Sequence, residues 1–211
     1  MEEISILNAS TSVTYLALGD SYTIGEAVNP SESFPYQLIT LLQEKGVEVE
    51  EPIVIAKTGW TTNELKVAIE AAELKETFGL VTLLIGVNNQ YRSYTLESYS
   101  REFKELLQIA INFAGGNKAH VFVISIPDWG VTPFGKTSGR DVLAISQEID
   151  AFNDIKKAET LAMGVSYIDI TPESRNVITD LSLLADDGLH YSGKMYAELA
   201  LRLSAKIVTS L

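Results

Sequence analysis

The chain has 211 residues, of which 46% are hydrophobic and 21% are charged, an ordinary globular composition that excludes a disordered or fibrous chain. Lysine and arginine total 16 against 28 aspartate and glutamate, and the resulting net charge of −12 repels phosphate backbones and anionic lipid surfaces. Nucleic acid is therefore not an expected partner. Because one domain takes about 150 residues, we expect residues 1–211 to form a single domain.

Composition also restricts the chemistry and the location of the protein. The sequence has no cysteine, which excludes disulfides, thiolate metal sites and a thiol nucleophile. No apolar run reaches the roughly 18 residues that indicate a transmembrane helix. The segment Met1–Ser5 lacks the basic region and long apolar core of a signal peptide, so we expect a cytoplasmic protein without a membrane span. None of these features predicts an oligomeric state.

Five apolar, β-branched runs predict strands, and each is almost continuously hydrophobic, as in strands buried on both faces of a parallel sheet. The runs cover residues 13–18, 53–55, 80–85, 121–126 and 165–168. Apolar residues at spacings of three and four predict intervening helices. These are expected at 36–42 with an end near Gly46, and at 63–77, 96–113, 141–163 and 193–211. The alternation predicts one three-layer α/β/α sandwich with right-handed crossovers.

The first predicted strand ends abruptly in Gly19-Asp20-Ser21. Ligands of open α/β sheets bind at the carboxyl ends of strands, so the Ser21 hydroxyl is a candidate nucleophile. Asp20 and Ser21 are also favoured capping residues, and taken alone they better fit the start of a helix. The rest of the chain must therefore supply a base before Ser21 can be assigned to catalysis.

The sequence contains two histidines, His120 and His190. His120 directly precedes the fourth predicted strand, at the sheet edge opposite Ser21. His190 follows Asp187 by three residues, and a carboxylate at that spacing in a turn can bind Nδ1 and leave Nε2 free to accept a proton from a hydroxyl. An Asp-Gly turn with an exposed histidine is the simpler interpretation. With Ser21, however, the pair forms a candidate triad.

Two further strand ends offer hydrogen-bond donors for a developing oxyanion. Gly59 follows the second strand and could present an unobstructed backbone N–H, and Asn88 follows the third strand with a side-chain amide. Separately, a turn glycine and a loop asparagine are the simpler interpretations. Their recurrence at successive strand ends favours an oxyanion hole that also includes the N–H of Ser21.

A stretch with two prolines, three glycines and two large aromatic residues, Pro127–Gly139, follows the fourth strand. It predicts an irregular loop that forms a wall of the site, with a plain connection as the alternative. Aromatic residues expected at the rim, each equally compatible with core packing, are Tyr22, Trp60, Tyr91, Tyr94, Trp129 and Phe134. Arg92 is expected to pair with an acidic residue rather than with a substrate carboxylate.

Four segments resemble the four sequence blocks of the SGNH hydrolase superfamily, also called GDSL-type esterases and lipases. In chain order they are Gly19-Asp20-Ser21, Gly59, Gly86-Val87-Asn88-Asn89 and Asp187-Gly188-Leu189-His190. The resemblance implies a flavodoxin-like fold with a five-stranded parallel sheet and a serine hydrolase mechanism that uses no metal or cofactor. It assigns the nucleophile to Ser21, the oxyanion donors to Gly59 and Asn88, and the acid and base to Asp187 and His190.

The sequence departs from the family pattern at three positions beside these blocks. Tyr22 replaces the usual leucine, Asn89 the usual aspartate and Tyr191 the frequent proline. No departure removes a catalytic group, but together they alter the expected shape of the pocket. The Gly-x-Ser-x-Gly elbow of the rival α/β-hydrolase fold does not occur in the sequence.

The predicted function is hydrolysis of carboxylic esters with short acyl chains, such as small aryl, alkyl or acetylated sugar esters, through an acyl-enzyme. The aromatic rim suits these small-molecule substrates, and no strongly apolar lid segment indicates long-chain lipids. An acyltransferase or a thioesterase would use the same groups. A non-catalytic flavodoxin-like binding module is a further alternative, but it leaves the pairing of Asp187 with His190 unexplained.

Overall fold

A computed structural model describes residues 12–210 of the chain. Its strands are β1 (Tyr15–Gly19), β2 (Ile53–Ala56), β3 (Leu80–Leu84), β4 (Val121–Ile124) and β5 (Ser166–Ile168). They form one parallel sheet in the order β2-β1-β3-β4-β5, the flavodoxin-like order, and confirm the predicted fold. Met1–Ser5 and Leu211, which enter two of the sequence predictions, lie outside the described residues.

Helices connect the strands and cover the sheet. They are α1 (Ser21–Ile24), α2 (Phe34–Glu44), α3 (Thr62–Ala72), α4 (Val87–Tyr91), α5 (Leu96–Phe113), α6 (Pro133–Thr137), α7 (Val142–Ala162), α8 (Thr171–Ser174) and α9 (Gly193–Ile207). Helix α2 packs against α9, whereas α5 packs against both α3 and α7. These two groups are the helical layers of the sandwich.

Two predicted helical boundaries and one predicted loop are wrong. Helix α3 ends at Ala72 rather than at residue 77, because Glu73 takes the left-handed conformation with φ 50°. Helix α9 ends at Ile207 rather than at residue 211. Residues 133–137, expected to be irregular, form helix α6. The Thr132 hydroxyl accepts the Gly135 amide at 3.1 Å and caps the helix, and Pro133 suits the first helical position, where a backbone N–H would have no partner within the helix.

The strands differ in how deeply they are buried. Every residue of β1, β3 and β4 is buried, as their continuous hydrophobicity predicts. Strand β2 is different, since Ile53 is 39% exposed and the remaining residues are half-buried. The prediction of burial on both faces is wrong for β2 and for Ser166 and Tyr167 of β5, because these two strands lie at the sheet edges and each pairs with one neighbour.

The register of the sheet brings three connections to one level. Gly19, the last residue of β1, pairs with Ala56 of β2 and with Leu84 of β3. The segments that follow these residues therefore leave the sheet side by side at its carboxyl edge. They carry the predicted nucleophile Ser21 and the predicted donors that follow β2 and β3.

Candidate active site

Ser21 stands at the junction of β1 and α1. The Asp20 side chain accepts the Tyr22 amide at 3.0 Å and caps the helix, so the simpler interpretation of this segment is right for Asp20. A side chain at Gly19 would overlap Thr23 and the Leu84 carbonyl, which explains why glycine stands there. Ser21 itself lines the largely apolar cavity at this sheet edge, so capping and a catalytic role are compatible.

Asp187 and His190 lie in a tight loop that an antiparallel bridge between Leu184 and Tyr191 closes. The Asp187 Oδ1 atom accepts the amides of Leu189 and His190, each at 2.9 Å, and Oδ2 lies 2.6 Å from His190 Nδ1. Burial raises the pKa of Asp187, but these hydrogen bonds outweigh it and hold the pKa below its usual value. The carboxylate is therefore ionised and oriented to keep the proton on Nδ1.

Ser21 and His190 line the same cavity. Among the hydrogen bonds of residues 12–210, the imidazole makes one to Asp187 and none to the Ser21 hydroxyl. Such a bond often tightens only when substrate is bound. His120 lies directly before β4, at the opposite sheet edge, as predicted.

The cavity has a volume of about 220 Å³. Four of the predicted rim aromatics line it, namely Tyr22, Tyr91, Trp129 and Phe134. Trp60 and Tyr94 are not among the lining residues. Three other residues line the cavity, Thr58, Val87 and Leu189, and the sequence analysis assigned no role to their side chains.

Asn88 enters the cavity from the start of α4. One hydrogen of its Nδ2 group is donated to the Trp60 carbonyl at 3.0 Å, which fixes the amide and leaves the second hydrogen free for a ligand. The neighbouring Asn89 is fully buried. Its Oδ1 accepts the Thr62 amide at 3.0 Å and its Nδ2 donates to the Thr62 hydroxyl at 2.7 Å, so this departure from aspartate still joins α4 to α3.

Gly59 lines the cavity from the other side, with φ at 83°, a conformation that favours glycine. Its carbonyl accepts a 2.6 Å hydrogen bond from Arg92 Nη2. Arg92 Nη1 meanwhile lies 3.2 and 3.1 Å from the two carboxylate oxygens of Glu64. The predicted pairing of Arg92 with an acidic residue is confirmed, and the pair holds the loop that carries Gly59.

Two departures from the family pattern meet at the histidine. The Tyr22 ring lies 5.0 Å from the imidazole of His190 and 5.1 Å from the Tyr191 ring. The Tyr22 hydroxyl also donates to the Leu189 carbonyl at 3.4 Å. These aromatic residues therefore pack against His190 from the side of α1.

The Trp129 wall is braced by a closed ring of polar contacts. Trp129 Nε1 donates to Gln90 Oε1 at 2.7 Å, and Gln90 Nε2 donates to Glu148 at 2.6 Å. Arg140 donates to the same carboxylate at 2.7 Å and lies 5.5 Å above the indole ring. The indole therefore has a fixed orientation. No sequence pattern indicated Gln90, whose side chain is buried by tertiary packing.

The described residues contain no group of three or more histidine, cysteine, aspartate and glutamate side chains that could hold a metal ion. Across residues 12–210, no helix is long and apolar enough to cross a membrane.

Solved structures share the fold over nearly the whole chain. TesA is 16% identical with a TM-score of 0.70, covering 94% of this chain and 99% of its own. Axe2, an acetylxylan esterase from Geobacillus stearothermophilus, is 18% identical with a TM-score of 0.71, covering 92% and 94%. A lipase/acylhydrolase from Enterococcus faecalis is 21% identical with a TM-score of 0.69, covering 92% and 95%. No curated protein sequence matches significantly.

The sequence pattern of the GDSL-like Lipase/Acylhydrolase family matches residues 17–198. This range contains all the predicted catalytic and oxyanion residues and most of the chain. The resemblance seen in the four sequence blocks is thereby confirmed at the level of the family. The chain belongs to the GDSL-like lipase/acylhydrolase family and is a serine hydrolase that acts on ester bonds.

Proposed function

We propose that this enzyme hydrolyses carboxylic esters with short acyl chains, and that Ser21 forms the acyl-enzyme. The observation that carries the proposal is the 2.6 Å contact between Asp187 and His190 in the wall of the cavity that Ser21 lines. An oriented base beside a hydroxyl is the arrangement that activates a serine for acyl transfer.

In the proposed mechanism, His190 Nε2 removes the proton of Ser21 as Oγ attacks the ester carbonyl. Asp187 stabilises the imidazolium that forms and does not itself take the proton. The imidazolium then gives its proton to the departing alcohol, which leaves an ester between the acyl group and Ser21. Water attacks this ester with His190 again acting as base, and the imidazolium returns the proton to Ser21 Oγ as the carboxylic acid leaves.

The negative oxygen of each tetrahedral intermediate requires donors at the cavity mouth. We assign this role to the amides of Ser21 and Gly59 and to the free Nδ2 hydrogen of Asn88. The Trp60 carbonyl fixes the Asn88 amide before substrate arrives, so little reorganisation is needed during the reaction.

The small volume and rigid wall of the cavity support short acyl groups. The space of about 220 Å³ is bounded by Trp129, which the Gln90 contact holds in one orientation. Phe134 continues this wall, and its amide donates to the Gly188 carbonyl at 3.1 Å, so the wall is tied to the loop that carries Asp187 and His190. The acetylxylan esterase activity named for Axe2 falls within the proposed substrate class.

A panel of p-nitrophenyl esters tests the proposal. We expect turnover of acetate and butyrate, and a fall in kcat/KM of at least roughly tenfold for octanoate, since several added methylenes lack space. Ser21→Ala is expected to abolish turnover and covalent labelling by an organophosphonate. Labelling retained in Ser21→Ala would refute the assigned nucleophile, and a preference for octanoate would refute the assigned substrate class.

Added alcohols and an acetyl thioester extend the same panel. Hydrolysis predicts release of free acetate in the presence of alcohol, whereas an acyltransferase would form the new ester. A higher kcat/KM for the thioester than for the oxygen ester would favour a thioesterase. Either result would leave the assigned serine in place and change the acceptor or the substrate.

A further inference from the structure

A buried lysine lies beneath the candidate active site, and the proposed mechanism does not use it. Lys156 projects from α7 and is fully buried. Its Nζ donates to the Ile85 carbonyl at 2.9 Å and to the Ile124 carbonyl at 2.5 Å. Ile124 is the last residue of β4, and Ile85 directly follows β3. The ammonium group therefore joins the carboxyl ends of two neighbouring strands.

Asp20 lies at the same level, directly after the neighbouring strand β1. Because Gly19 of β1 pairs with Leu84 of β3, Asp20 stands opposite Ile85. Asp20 is fully buried, and its Oδ1 accepts the Tyr22 amide. Its Oδ2 makes no hydrogen bond to any other described residue. A buried carboxylate oxygen without a donor requires a neighbouring positive charge or a proton.

The two groups act on each other's ionisation. Burial raises the pKa of Asp20 to about 7, and the Tyr22 amide and the charge of Lys156 work against this rise. Burial lowers the pKa of Lys156 to about 7, and the charge of Asp20 opposes that fall. The other groups beside the ammonium are weak partners, namely the Phe103 ring at 5.6 Å and the Tyr99 hydroxyl, which shares the Ile85 carbonyl at 3.5 Å.

Three parts of the proposed site leave the sheet at these positions. Ser21 follows Asp20, the segment with Asn88 follows Ile85, and the segment with Trp129 follows Ile124. A replacement of a buried ion pair by apolar groups is often neutral or stabilising. A buried lysine is therefore not explained by stability, and its contacts at two strand ends, with the charge of Asp20 at the end of a third, indicate a role in alignment.

We propose that Lys156 is a positioning residue, which aligns the nucleophile helix and the oxyanion segment by joining the ends of β3 and β4 and balancing the charge of Asp20. This inference rests on the proposed function. Lys156 does not reach the cavity, and it acts only through the residues that it holds.

Lys156→Met tests this role, because methionine keeps the length of the buried side chain but removes the charge and the donors. With p-nitrophenyl acetate we expect kcat to fall at least roughly tenfold, as reacting groups move by a fraction of an ångström, while KM changes less than about twofold. The control is Lys157→Met, which removes the same charge from the exposed neighbouring position and is expected to keep kcat. A kcat of Lys156→Met within about twofold of this control would overturn the proposal.

The double variant Asp20→Asn/Lys156→Met tests the pairing. Asparagine retains the oxygen that caps α1. Because its side chain is neutral, the double variant leaves no unbalanced buried charge, and we expect its kcat to be at least about threefold above that of Lys156→Met. No rise would overturn the pairing. If Lys156→Met alone does not fold, a folded double variant supports the pairing. The alignment role is then tested by comparing kcat of the double variant with that of Asp20→Asn, which should be higher because it keeps Lys156. Failure of both variants to fold would overturn the pairing.

A measurement that does not depend on activity separates this inference from the proposed function. The Tyr22 amide binds Asp20, so its NMR signal should shift in Lys156→Met and stay in place in Lys157→Met. Should the wild-type enzyme hydrolyse no ester of the panel, the proposed function fails while this signal still reports on Lys156. An unshifted Tyr22 signal in folded Lys156→Met would overturn the positioning role.

Discussion

The two outer donors proposed for the oxyanion, Gly59 and Asn88, are supported by different kinds of contact. Gly59 follows the edge strand β2 and is held by Arg92, whose side chain is 44% exposed and pairs with an equally exposed Glu64. Asn88 follows the central strand β3 and stands beside Asn89, which is fully buried. One donor therefore depends on a surface ion pair and the other on a buried hydrogen-bond network.

The supports nevertheless come from one short stretch of chain. Asn89 lies in the middle of α4, and Arg92 directly follows this helix. Both residues contact the connection from β2 into α3, Arg92 at Gly59 and Asn89 at Thr62. Asn88 contacts the same connection at the Trp60 carbonyl. Helix α4 thus sets the distance between the two donors. Damage to the buried contacts should disturb both donors, whereas damage to the surface pair should disturb one.

The largest effect is expected from removal of a donor itself. Asn88→Ala deletes the amide proposed to bind the oxyanion, and the loss of one such donor lowers kcat by roughly 10²- to 10³-fold. KM for p-nitrophenyl acetate should change little, because the interaction forms mainly in the transition state. Steady-state kinetics check this expectation. An unchanged kcat would remove Asn88 from the oxyanion site.

Asn89→Leu breaks the buried support without removing a donor. The Thr62 amide loses its acceptor, whereas the Thr62 hydroxyl keeps its bond to Glu102, and one unsatisfied buried group costs about 1–3 kcal/mol. We expect the free energy of unfolding in urea to fall by such an amount and kcat to fall by roughly tenfold, with Asn88 misplaced. Asn89→Asp, which restores the residue usual in the family and keeps an acceptor for the Thr62 amide, is the control. Equal losses in both variants would contradict this account.

The sequence predicted the strand-end placement of Ser21, Gly59 and Asn88 because the pattern is local. Each follows an apolar run, and parallel strands bring their carboxyl ends to one edge. The Asp187–His190 contact was predicted for the same reason, since a spacing of three residues in a turn fixes the distance. The family resemblance then assigned a chemical role to each of these residues.

The supports were not predictable in this way. Lys156 lies within a long helix, where a lysine ordinarily faces solvent, and its burial follows from packing of α7 over the strand ends. Gln90 and Trp129 meet across segments that are distant in the sequence. Trp60 was expected to offer its ring to substrate, but its carbonyl is the group that contacts the site. Such contacts depend on tertiary geometry, which spacing along the chain does not encode.

Arg92→Gln weakens the surface support of Gly59. Glutamine is too short to reach both Glu64 and the Gly59 carbonyl, so the loop that carries Gly59 loses its support, although these exposed contacts contribute little to stability. We expect kcat to fall roughly threefold to tenfold while the free energy of unfolding barely changes. The exposed Arg101 provides a control for loss of charge, as Arg101→Gln. A loss of unfolding free energy as large as that of Asn89→Leu would show that the surface support and the buried support are equivalent.

Glu64→Gln should have the smallest effect, because it leaves the bond from Arg92 to Gly59 in place. Hydrogen bonding to the Thr61 amide, with a smaller contribution from Arg92, lowers the pKa of Glu64. A lowered folded-state pKa stabilises the protein above the usual carboxyl pKa, and this stabilisation disappears as pH falls through the folded value. The difference in unfolding free energy between wild type and Glu64→Gln should therefore be present at neutral pH and vanish in acid. This difference should also shrink in 0.5 M salt, where the Debye length is roughly 4–5 Å and the attraction within exposed ion pairs is screened. A difference that persists in acid would mean that the carboxylate charge does not support the Gly59 loop.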